Sequence, residues 1–349
     1  MPEEKIVKSP IEPRDRDIFR DHQHRLFVVL GYIQPTDRVL SYLKYVPDED
    51  GMWKTADTHY RRVFWGSVDS TVEGMTILPE DYIILDTHFN TNLVEPPCEA
   101  VEKFYCPEER LQEILNDSQD ALEELTKKAA ELLHDRLGIP MKNLGVAGSI
   151  LWRGHSPTRS DINMNIYGYQ ASRDLFENLA NLEGVPGLAR LRELPEWGNT
   201  IKRVRERIPV LQSVDLNTLF SRRRALCLEN RCIGITPVLY NQEAPIHHGS
   251  ESYTTLKSDP VKCRLTIENA DYGIFHPAIY GTSPVIYDGL TIDRILVFDG
   301  AFGGLFVEGD SVEVSGTLQK VLVSEDQREF YQIMVGTKAG SGKEYIRFL

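Results

Sequence analysis

Short runs of apolar residues, separated by turn residues, dominate the first third of the chain. Residues 25–33 are mostly apolar, as is typical of a buried strand, and residues 38–46 alternate as a half-buried strand does. Two further runs, at 60–64 and 82–85, also predict strands. Residues 1–105 are therefore predicted to form a β-rich domain.

The apolar pattern changes to helical spacing after this region. Pro107, followed by two glutamates, is typical of a helix start, because proline already has the φ angle of the first helical turn. Apolar residues then recur at helical spacing across 122–137, and Gly138 and Pro140 end the pattern. We expect the second helix to pack its apolar stripe on the sheet that follows.

A short predicted strand at 144–147 leads into Gly148 and Ser149. A glycine at such a turn lets the backbone approach a phosphate closely, and the serine hydroxyl and neighbouring N–H groups supply donors. Residues 160–167 then alternate, so that one strand face carries only polar side chains, those of Asp161, Asn163 and Asn165. A polar strand face beside a phosphate-binding turn can hold Mg²⁺ between carboxylates and a nucleoside triphosphate.

Strand-like runs return near the C-terminus, at 293–300, 309–322, 330–335 and 345–348, and glycines and aspartates mark the turns between them. This spacing predicts a small β-barrel of the oligonucleotide-binding (OB) type over 273–349. Such a barrel would suit single-stranded nucleic acid.

Composition and charge exclude several classes of protein. With 349 residues and a net charge of −13, the chain lacks the excess of Lys and Arg that a broad nucleic-acid-coating surface needs, although a local basic groove is compatible with it. The first residues contain no apolar signal sequence, and no stretch approaches the roughly 18 apolar residues of a membrane span. The five cysteines include no Cys-x-x-Cys pair, so neither a disulfide framework nor a zinc site is predicted. We expect a cytoplasmic protein without membrane contact.

The stretch Gly148-Ser149, followed by Ser160 and then by Asp161 and Asn163, resembles the nucleotidyltransferase signature of the DNA polymerase β superfamily. That signature is Gly-Ser, a spacer, and Asp-x-Asp on a strand. The arrangement of the whole chain is also similar to an archaeal group of predicted nucleotidyltransferases. The resemblance implies an α+β fold in which residues 106–272 form a nucleotidyltransferase-like mixed sheet with helices, flanked by the β-rich domain and the small barrel.

The resemblance further implies a site for two Mg²⁺ (or Mn²⁺) ions. Asp161 would ligate both ions, the second Asp of the signature would bridge them, and a third carboxylate on a neighbouring strand would help to deprotonate an acceptor hydroxyl. Gly148, Ser149 and Ser160 would bind the nucleotide. Asn163 occupies the second Asp position, where it keeps an oxygen ligand but lacks the negative charge that Mg²⁺ favours.

Two functions therefore stay open. The first is Mg²⁺-dependent transfer of a nucleotidyl group from a nucleoside triphosphate to a hydroxyl acceptor such as RNA, with Asp161 and Asn163 as metal ligands. The second is a catalytically inactive nucleotidyltransferase-like protein that binds nucleotide or RNA.

Three segments compete for the third carboxylate. Asp215 resembles a strand carboxylate, but its neighbours also fit a capped helix, which we prefer. The strand predicted at 231–240 lies where the superfamily would place this acid, yet it carries Thr236 instead. The run 262–268 alternates as a strand and ends in Glu268, which is our prediction for the catalytic base or third ligand; a solvated glutamate at a strand edge fits the same pattern.

Two basic clusters lie in the central region, at 202–207 and 222–224. Either could bind a triphosphate or a nucleic-acid backbone. A solvated helix face paired with nearby glutamates has the same pattern. Arg222 and Arg223 are the predicted nucleotide-binding residues of this group, because they adjoin a predicted core strand.

Overall fold

The computed structural model describes residues 12–64, 66, 74–182, 189–229 and 231–349. It is a mixed α+β structure, with 26% helix and 35% strand arranged in several sheets. The predicted α+β class is therefore confirmed. Among the described helices, none is long and apolar enough to cross a membrane.

A six-stranded antiparallel sheet, the N-terminal sheet, comes first. Its strands are β1 (Ile18–Asp21), β2 (Leu26–Val29), β3 (Ser41–Pro47), β4 (Trp53–Lys54), β5 (His59–Arg62) and β8 (Val101–Tyr105), in the order β4-β5-β3-β2-β1-β8. A separate hairpin joins β6 (Ile83–Asp86) to β7 (Thr91–Val94). Each of the strand-like runs expected in this region overlaps one of these strands, with somewhat different bounds.

Two helices follow, α1 (Pro107–Asn116) and α2 (Ala121–Leu137). The Asp120 side chain caps α2 by accepting hydrogen bonds from two N–H groups of its first turn. Gly138 ends α2 in the left-handed conformation, with φ at 69°. Both predicted helices are present, because the proline start and the glycine stop act through local backbone geometry.

A five-stranded mixed sheet, the central sheet, comes next. Its strands are β9 (Leu144–Val146), β10 (Ile162–Tyr167), β11 (Ala189–Leu191), β12 (Leu226–Leu228) and β13 (Arg231–Val238), in the order β11-β12-β13-β10-β9. Strand β10 runs antiparallel to β9 and parallel to β13. The accompanying helices are α3 (Gly148–Leu151), α4 (Tyr169–Asn178), α5 (Gly198–Arg207) and α6 (Ser213–Arg222).

One face of the central sheet packs against α1, α2 and α4. The apolar side chains of β10, from Ile162, Met164 and Ile166, are fully buried in this layer. Because side chains alternate along a strand, the polar residues of β10 point to the other face. That face lies toward the N-terminal sheet.

The N-terminal sheet docks on the segment that ends α3. Leu151 and Trp152 are buried among apolar side chains of β1, β2, β3 and β5. The Trp152 ring centroid lies 5.2 Å from the ring centroids of both Tyr45 and Tyr60. These contacts hold the N-terminal sheet beside the polar face of β10.

A seven-stranded sheet, the C-terminal sheet, completes the structure. Its strands are β14 (Glu251–Thr255), β15 (Val261–Asn269), β16 (Ala278–Tyr287), β17 (Leu290–Val297), β18 (Ser311–Val323), β19 (Glu329–Val335) and β20 (Tyr345–Phe348). The long β18 pairs with β14, β15, β19 and β20. Two strands of this sheet, β14 and β15, precede the predicted boundary at 273, because long-range pairing and not local composition determines which sheet a strand joins.

Candidate functional site

Strand β10, which carries the polar residues, pairs with β13 in parallel register. Asn163 lies beside Gly234, and Asn165 lies beside Thr236. Asn165 is fully buried, and its Nδ2 donates a hydrogen bond to the Tyr167 hydroxyl at 3.1 Å. Its Oδ1 has no hydrogen-bond partner among the described residues. Leaving a buried polar atom unpaired costs about 1–3 kcal/mol, so this oxygen marks a place where a ligand or water would be favourable.

Two glycines shape the space around Asn163. A Cβ at Gly148 would lie 2.9 Å from Asn163 Nδ2, and a Cβ at Gly234 would lie 2.7 Å from Asn163 Oδ1. Gly148 also has a φ of 64°, which favours glycine over residues with a side chain. The Asn163 amide therefore occupies a slot between two backbone segments that only glycines leave open.

A cavity of about 180 Å³, which we name the inter-sheet cavity, opens between the N-terminal sheet and the central sheet. A larger cavity, of about 590 Å³, opens beside His247 and Ser324 and is lined by none of the predicted site residues. The inter-sheet cavity contains two cationic side chains and no acidic one. Its polar lining residues are Arg16, Tyr42, Lys44, Asn163, Asn165 and Thr236.

Arg16 and Lys44 bring positive charge to the inter-sheet cavity. Arg16 precedes β1 with a φ of 68°, its Nη1 donates to the Tyr42 hydroxyl at 3.3 Å, and its Nε lies 3.4 Å from Asp15 Oδ2. Burial, together with the positive charges of Arg62 and Arg16, lowers the pKa of Lys44 on β3 to about 7. No carboxylate is among the groups that shift this pKa. An anion in the cavity would relieve the repulsion between these cations.

Ser149 and Ser160, which the resemblance assigns to nucleotide binding, bond to each other. Ser149 Oγ donates to Ser160 Oγ at 3.3 Å, and Ser160 Oγ also accepts from the N–H of Ser156 at 2.9 Å. Arg231 holds the same loop by donating to three carbonyl oxygens within 157–160. Neither serine lines the inter-sheet cavity. The two hydroxyls therefore join the turn after β9 to the start of β10.

Asp161 lies immediately before β10 and is exposed. Strand alternation places it on the same side as Asn163, but it does not line the inter-sheet cavity. Its carboxylate forms no hydrogen bond or ion pair with another described residue. Asp161 thus supplies a free carboxylate next to the cavity and outside it.

The candidates for a third carboxylate lie in different parts of the fold. Asp215 lies in the first turn of α6, where it accepts a hydrogen bond from the N–H of Gln212 at 2.8 Å, so the helix that we preferred is confirmed. Glu268 is exposed on β15, which pairs with β16 and β18 in the C-terminal sheet. Thr236, which stands where the resemblance would place the third acid, lies on β13 beside Asn165. The structure thus brings a hydroxyl, and neither acid, to the inter-sheet cavity.

Arg222 and Arg223 contact the C-terminal sheet region. Arg222 Nη2 lies 3.1 Å from Asp310 Oδ1, and Arg223 donates to the carbonyl oxygens of Gly300 and Ala301 at 3.0 and 2.7 Å. Neither arginine lines the inter-sheet cavity. Their contacts hold α6 against the C-terminal sheet.

The groups that line the inter-sheet cavity do not fit a pair of Mg²⁺ ions. Mg²⁺ requires oxygen ligands, favours carboxylates and is repelled by neighbouring cations, and Mn²⁺ shares the preference for oxygen. The cavity offers two neutral amides, two hydroxyls and two cationic side chains. The N–H and O–H donors of this set match an anion instead.

A different group of described residues, Asp120, Glu123 and His155, has ligand atoms within 4.8 Å of one another. His155 Nε2 lies 2.8 Å from Asp120 Oδ2, while Asp120 Oδ1 caps α2. Glu123 pairs with Arg110 and accepts a hydrogen bond from the N–H of Gln119 at 2.9 Å. Because these contacts use both carboxylates, the group joins α1, α2 and the loop after α3 without needing a cation.

Sequence reasoning missed Arg16 and Lys44, because they come from the N-terminal region, where no catalytic pattern is visible. The sequence did contain one signal that pointed to Lys44. Lys44 interrupts an apolar and aromatic run in β3, and a lysine in such a strand calls for an anionic partner. The sequence offered no way to tell that Lys44 would lie beside β10.

Among known proteins, the chain is similar to the "Uncharacterized protein MJ1086" of Methanocaldococcus jannaschii. The two are 25% identical over 347 residues, which cover 96% of this chain and 98% of that protein. No family model and no solved structure matches the chain. Because the aligned region covers nearly the whole chain, the similarity is not confined to a single motif.

Proposed function

We propose that this protein is a nucleotidyltransferase-like nucleotide-binding protein, which holds its nucleotide through hydrogen-bond donors and positive charge and not through a pair of metal ions. The observation that carries the proposal is the lining of the inter-sheet cavity. There Asn163, Asn165 and Thr236 of the central sheet lie with Arg16 and Lys44 of the N-terminal region. Amide, hydroxyl and cationic donors complement the phosphate groups of a nucleotide.

The connectivity of the central sheet supports a nucleotidyltransferase-like core. The Gly148-Ser149 turn follows β9, the strand after Asp161 runs antiparallel to β9, and β13 lies parallel on the other side. This arrangement brings Gly148, Asn163 and Thr236 to one cavity. The resemblance implies the same proximity between the Gly-Ser turn and the strand that carries the polar residues.

A second partner, RNA or another single-stranded nucleic acid, is proposed for the C-terminal sheet. Strand β18 pairs with both β15 and β19, which lie at opposite ends of the run β15-β16-β17-β19. This pairing supports an OB-like barrel, a fold that commonly holds single strands. The net charge of −13 restricts such binding to a local groove.

Mg²⁺-dependent nucleotidyl transfer is the second candidate function, and the free carboxylate of Asp161 is the observation that favours it. Such a reaction needs further negative charge near the metal. In the arrangement that the resemblance implies, that charge would come from the positions of Asn163 and Thr236, and neither residue carries one. For this reason nucleotide binding without transfer is the function that the geometry supports better.

The test measures ATP binding and transfer on the same preparation. ATP is titrated calorimetrically in EDTA and again in Mg²⁺, and labelled ATP is incubated with Mg²⁺ and bulk RNA. We expect binding in EDTA and no incorporation of label. Incorporation that disappears in Asp161→Ala would favour the transferase, and no ATP binding in either condition would refute both functions.

Asn163→Asp separates the two functions further. The added negative charge should repel phosphate and weaken ATP binding in EDTA by about tenfold or more, which corresponds to about 1.4 kcal/mol. Asn178→Asp, the same change on the exposed face of α4, is the control and should leave binding unchanged. If Asn163→Asp instead creates Mg²⁺-dependent incorporation, the site is a weakened transferase.

A further inference from the structure

The inter-sheet cavity is too small for a whole nucleotide. Its volume is about 180 Å³, whereas pockets for drug-sized ligands span roughly 300–1,000 Å³. A phosphate group with the first atoms of its ester fits this volume, while a base, a ribose and three phosphates do not.

The charges around the cavity favour a compact anion. Arg16 and Lys44 line it, and Arg62 is close enough to lower the pKa of Lys44. Asp15 balances part of the charge of Arg16 through its Oδ2 atom. Its other carboxylate oxygen, Oδ1, accepts a hydrogen bond from the N–H of Gly31 at 2.7 Å. Lys44 Nζ forms no hydrogen bond or ion pair with another described residue and lies 5.8 Å from the Tyr45 ring centroid, so it is available to a ligand in the cavity.

Asn165 gives an independent sign of a ligand. It lines the cavity and is fully buried, and its Oδ1 has no partner among the described residues. A half-turn of the amide would let Oδ1 accept a hydrogen bond from the Tyr167 hydroxyl and turn Nδ2 toward the cavity as a donor. An occupant with several acceptor oxygens would therefore satisfy Asn165 and the Thr236 hydroxyl together.

We infer that the inter-sheet cavity encloses one phosphate monoester group directly, without a metal ion, and leaves the rest of the ligand outside. Arg16 and Lys44 offset the two negative charges of the monoester, and Asn165 and Thr236 donate to its oxygens. The inference rests on the proposed function, because it names the part of the nucleotide that the site encloses. The ligand class is thus a phosphate monoester, with a nucleoside monophosphate as its smallest nucleotide form.

The test is calorimetric titration of the full chain in EDTA with inorganic phosphate, AMP, adenosine and ATP. Phosphate and AMP should bind and should compete with each other, and adenosine should not bind. Binding of adenosine as tight as that of AMP would place the base, and not the phosphate, in the cavity. Loss of AMP binding in EDTA with recovery in Mg²⁺ would also overturn the inference, because the contact would then need a metal.

Variants of Lys44 test whether the anion binds beside this side chain. Lys44→Met replaces the charged side chain by an apolar one of similar length. We expect the affinity for phosphate and AMP to fall by about tenfold or more, because a charge-assisted hydrogen bond is lost. Lys44→Arg should retain most of the affinity. Lys54→Met, on the exposed part of β4, is the matched control. Unchanged affinity in Lys44→Met, with thermal unfolding showing a folded protein, would refute the inference.

Proton uptake gives a readout that a purely structural lysine would not change. Burial, and then the positive charges of Arg62 and Arg16, lowers the pKa of Lys44 to about 7, so much of the free protein carries neutral Lys44 at pH 8. A bound dianion should restore its proton. Titration with sulfate, which does not itself take up protons at this pH, in buffers of different ionisation enthalpy should show uptake that Lys44→Met abolishes. Sulfate binding without uptake would contradict the assigned contact.

Failure of this inference and failure of the proposed function give different results. Lys44-dependent binding of phosphate, with neither AMP nor ATP bound, would keep the phosphate site and refute the nucleotide. ATP binding that ignores Lys44→Met and is not displaced by phosphate would keep the nucleotide and refute this cavity as its phosphate site.

Discussion

Asn163 of β10 lies directly beside Gly234 of β13, and a Cβ at position 234 would come within 2.7 Å of Asn163 Oδ1. Gly234→Ala should therefore displace the Asn163 amide within the inter-sheet cavity. Because only the end of a side chain must move, we expect the free energy of unfolding to fall by less than about 1 kcal/mol. Calorimetry should show weaker AMP binding, by a few-fold.

Gly148→Ala is the comparison for this variant, because position 148 touches the other side of the same amide. Its φ of 64° adds backbone strain of about 1–2 kcal/mol for a residue with a side chain. Urea unfolding should thus show a larger loss of stability for Gly148→Ala than for Gly234→Ala. Equal AMP affinity in the wild type and both variants would mean that Asn163 does not contact the ligand.

Arg223 is expected to stabilise the fold and not to bind nucleotide. Arg223→Ala removes two hydrogen bonds to the carbonyl oxygens of Gly300 and Ala301, and we expect a loss of about 1–3 kcal/mol in urea unfolding. AMP and ATP affinity should stay unchanged in the folded variant. Arg203→Ala, on the exposed side of α5, is the control and should alter neither quantity. Weakened ATP binding at unchanged stability would restore the role that the sequence predicted for Arg223.

Glu95 should make the protein less stable as the pH rises. Burial, and then the neighbouring charge of Asp86, raises the pKa of Glu95 to about 8. The ordinary value for a glutamate is about 4.3, so between these two values the folded state holds a proton that the unfolded state has released. Stability from this group is complete below the ordinary value and is lost as the pH rises through the folded value.

Glu95→Gln tests this effect, since glutamine resembles the protonated acid. The variant and the wild type should be similar at pH 5, and at pH 8.5 the variant should be more stable by at least about 1 kcal/mol, roughly one pKa unit. Thermal or urea unfolding at the two pH values measures the difference. Glu99→Gln, at an exposed site, should show no such trend. A difference that is constant with pH would contradict the raised pKa.

Cys227 and Cys232 face each other across the β12–β13 hairpin, with 2.8 Å between their Sγ atoms. Glutathione disulfide should oxidise the pair to an intrachain disulfide, as the two thiols lose two electrons and two protons to the oxidant. Burial raises the pKa of Cys227 to about 12, so the reaction should be slow. Mass spectrometry of the alkylated protein should show this pair protected, and Cys227→Ser should abolish the protection. Alkylation of both thiols after prolonged oxidation would contradict the prediction.

The sequence determined those parts of the structure that depend on neighbouring residues. The strands of the N-terminal sheet, α2 between Asp120 and Gly138, and the alternation of β10 follow from propensity, capping and side-chain period. The same local rules place Asp215 in α6. They also put Asn163 and Asn165 on one strand face, which identified the stretch that lines the inter-sheet cavity.

The tertiary structure alone decided which distant segments meet. Lys44 reaches the cavity because the N-terminal sheet docks on Trp152, and Glu268 lies away from the central sheet because β15 pairs with β18. Cys227 and Cys232 become neighbours only through the register of a hairpin. Strand pairing and docking depend on the summed burial of many side chains across the whole fold, and no local sequence window contains that sum. This is why the signature around Asn163 could suggest a metal site, while the residues that pack across from it form a site suited to an anion.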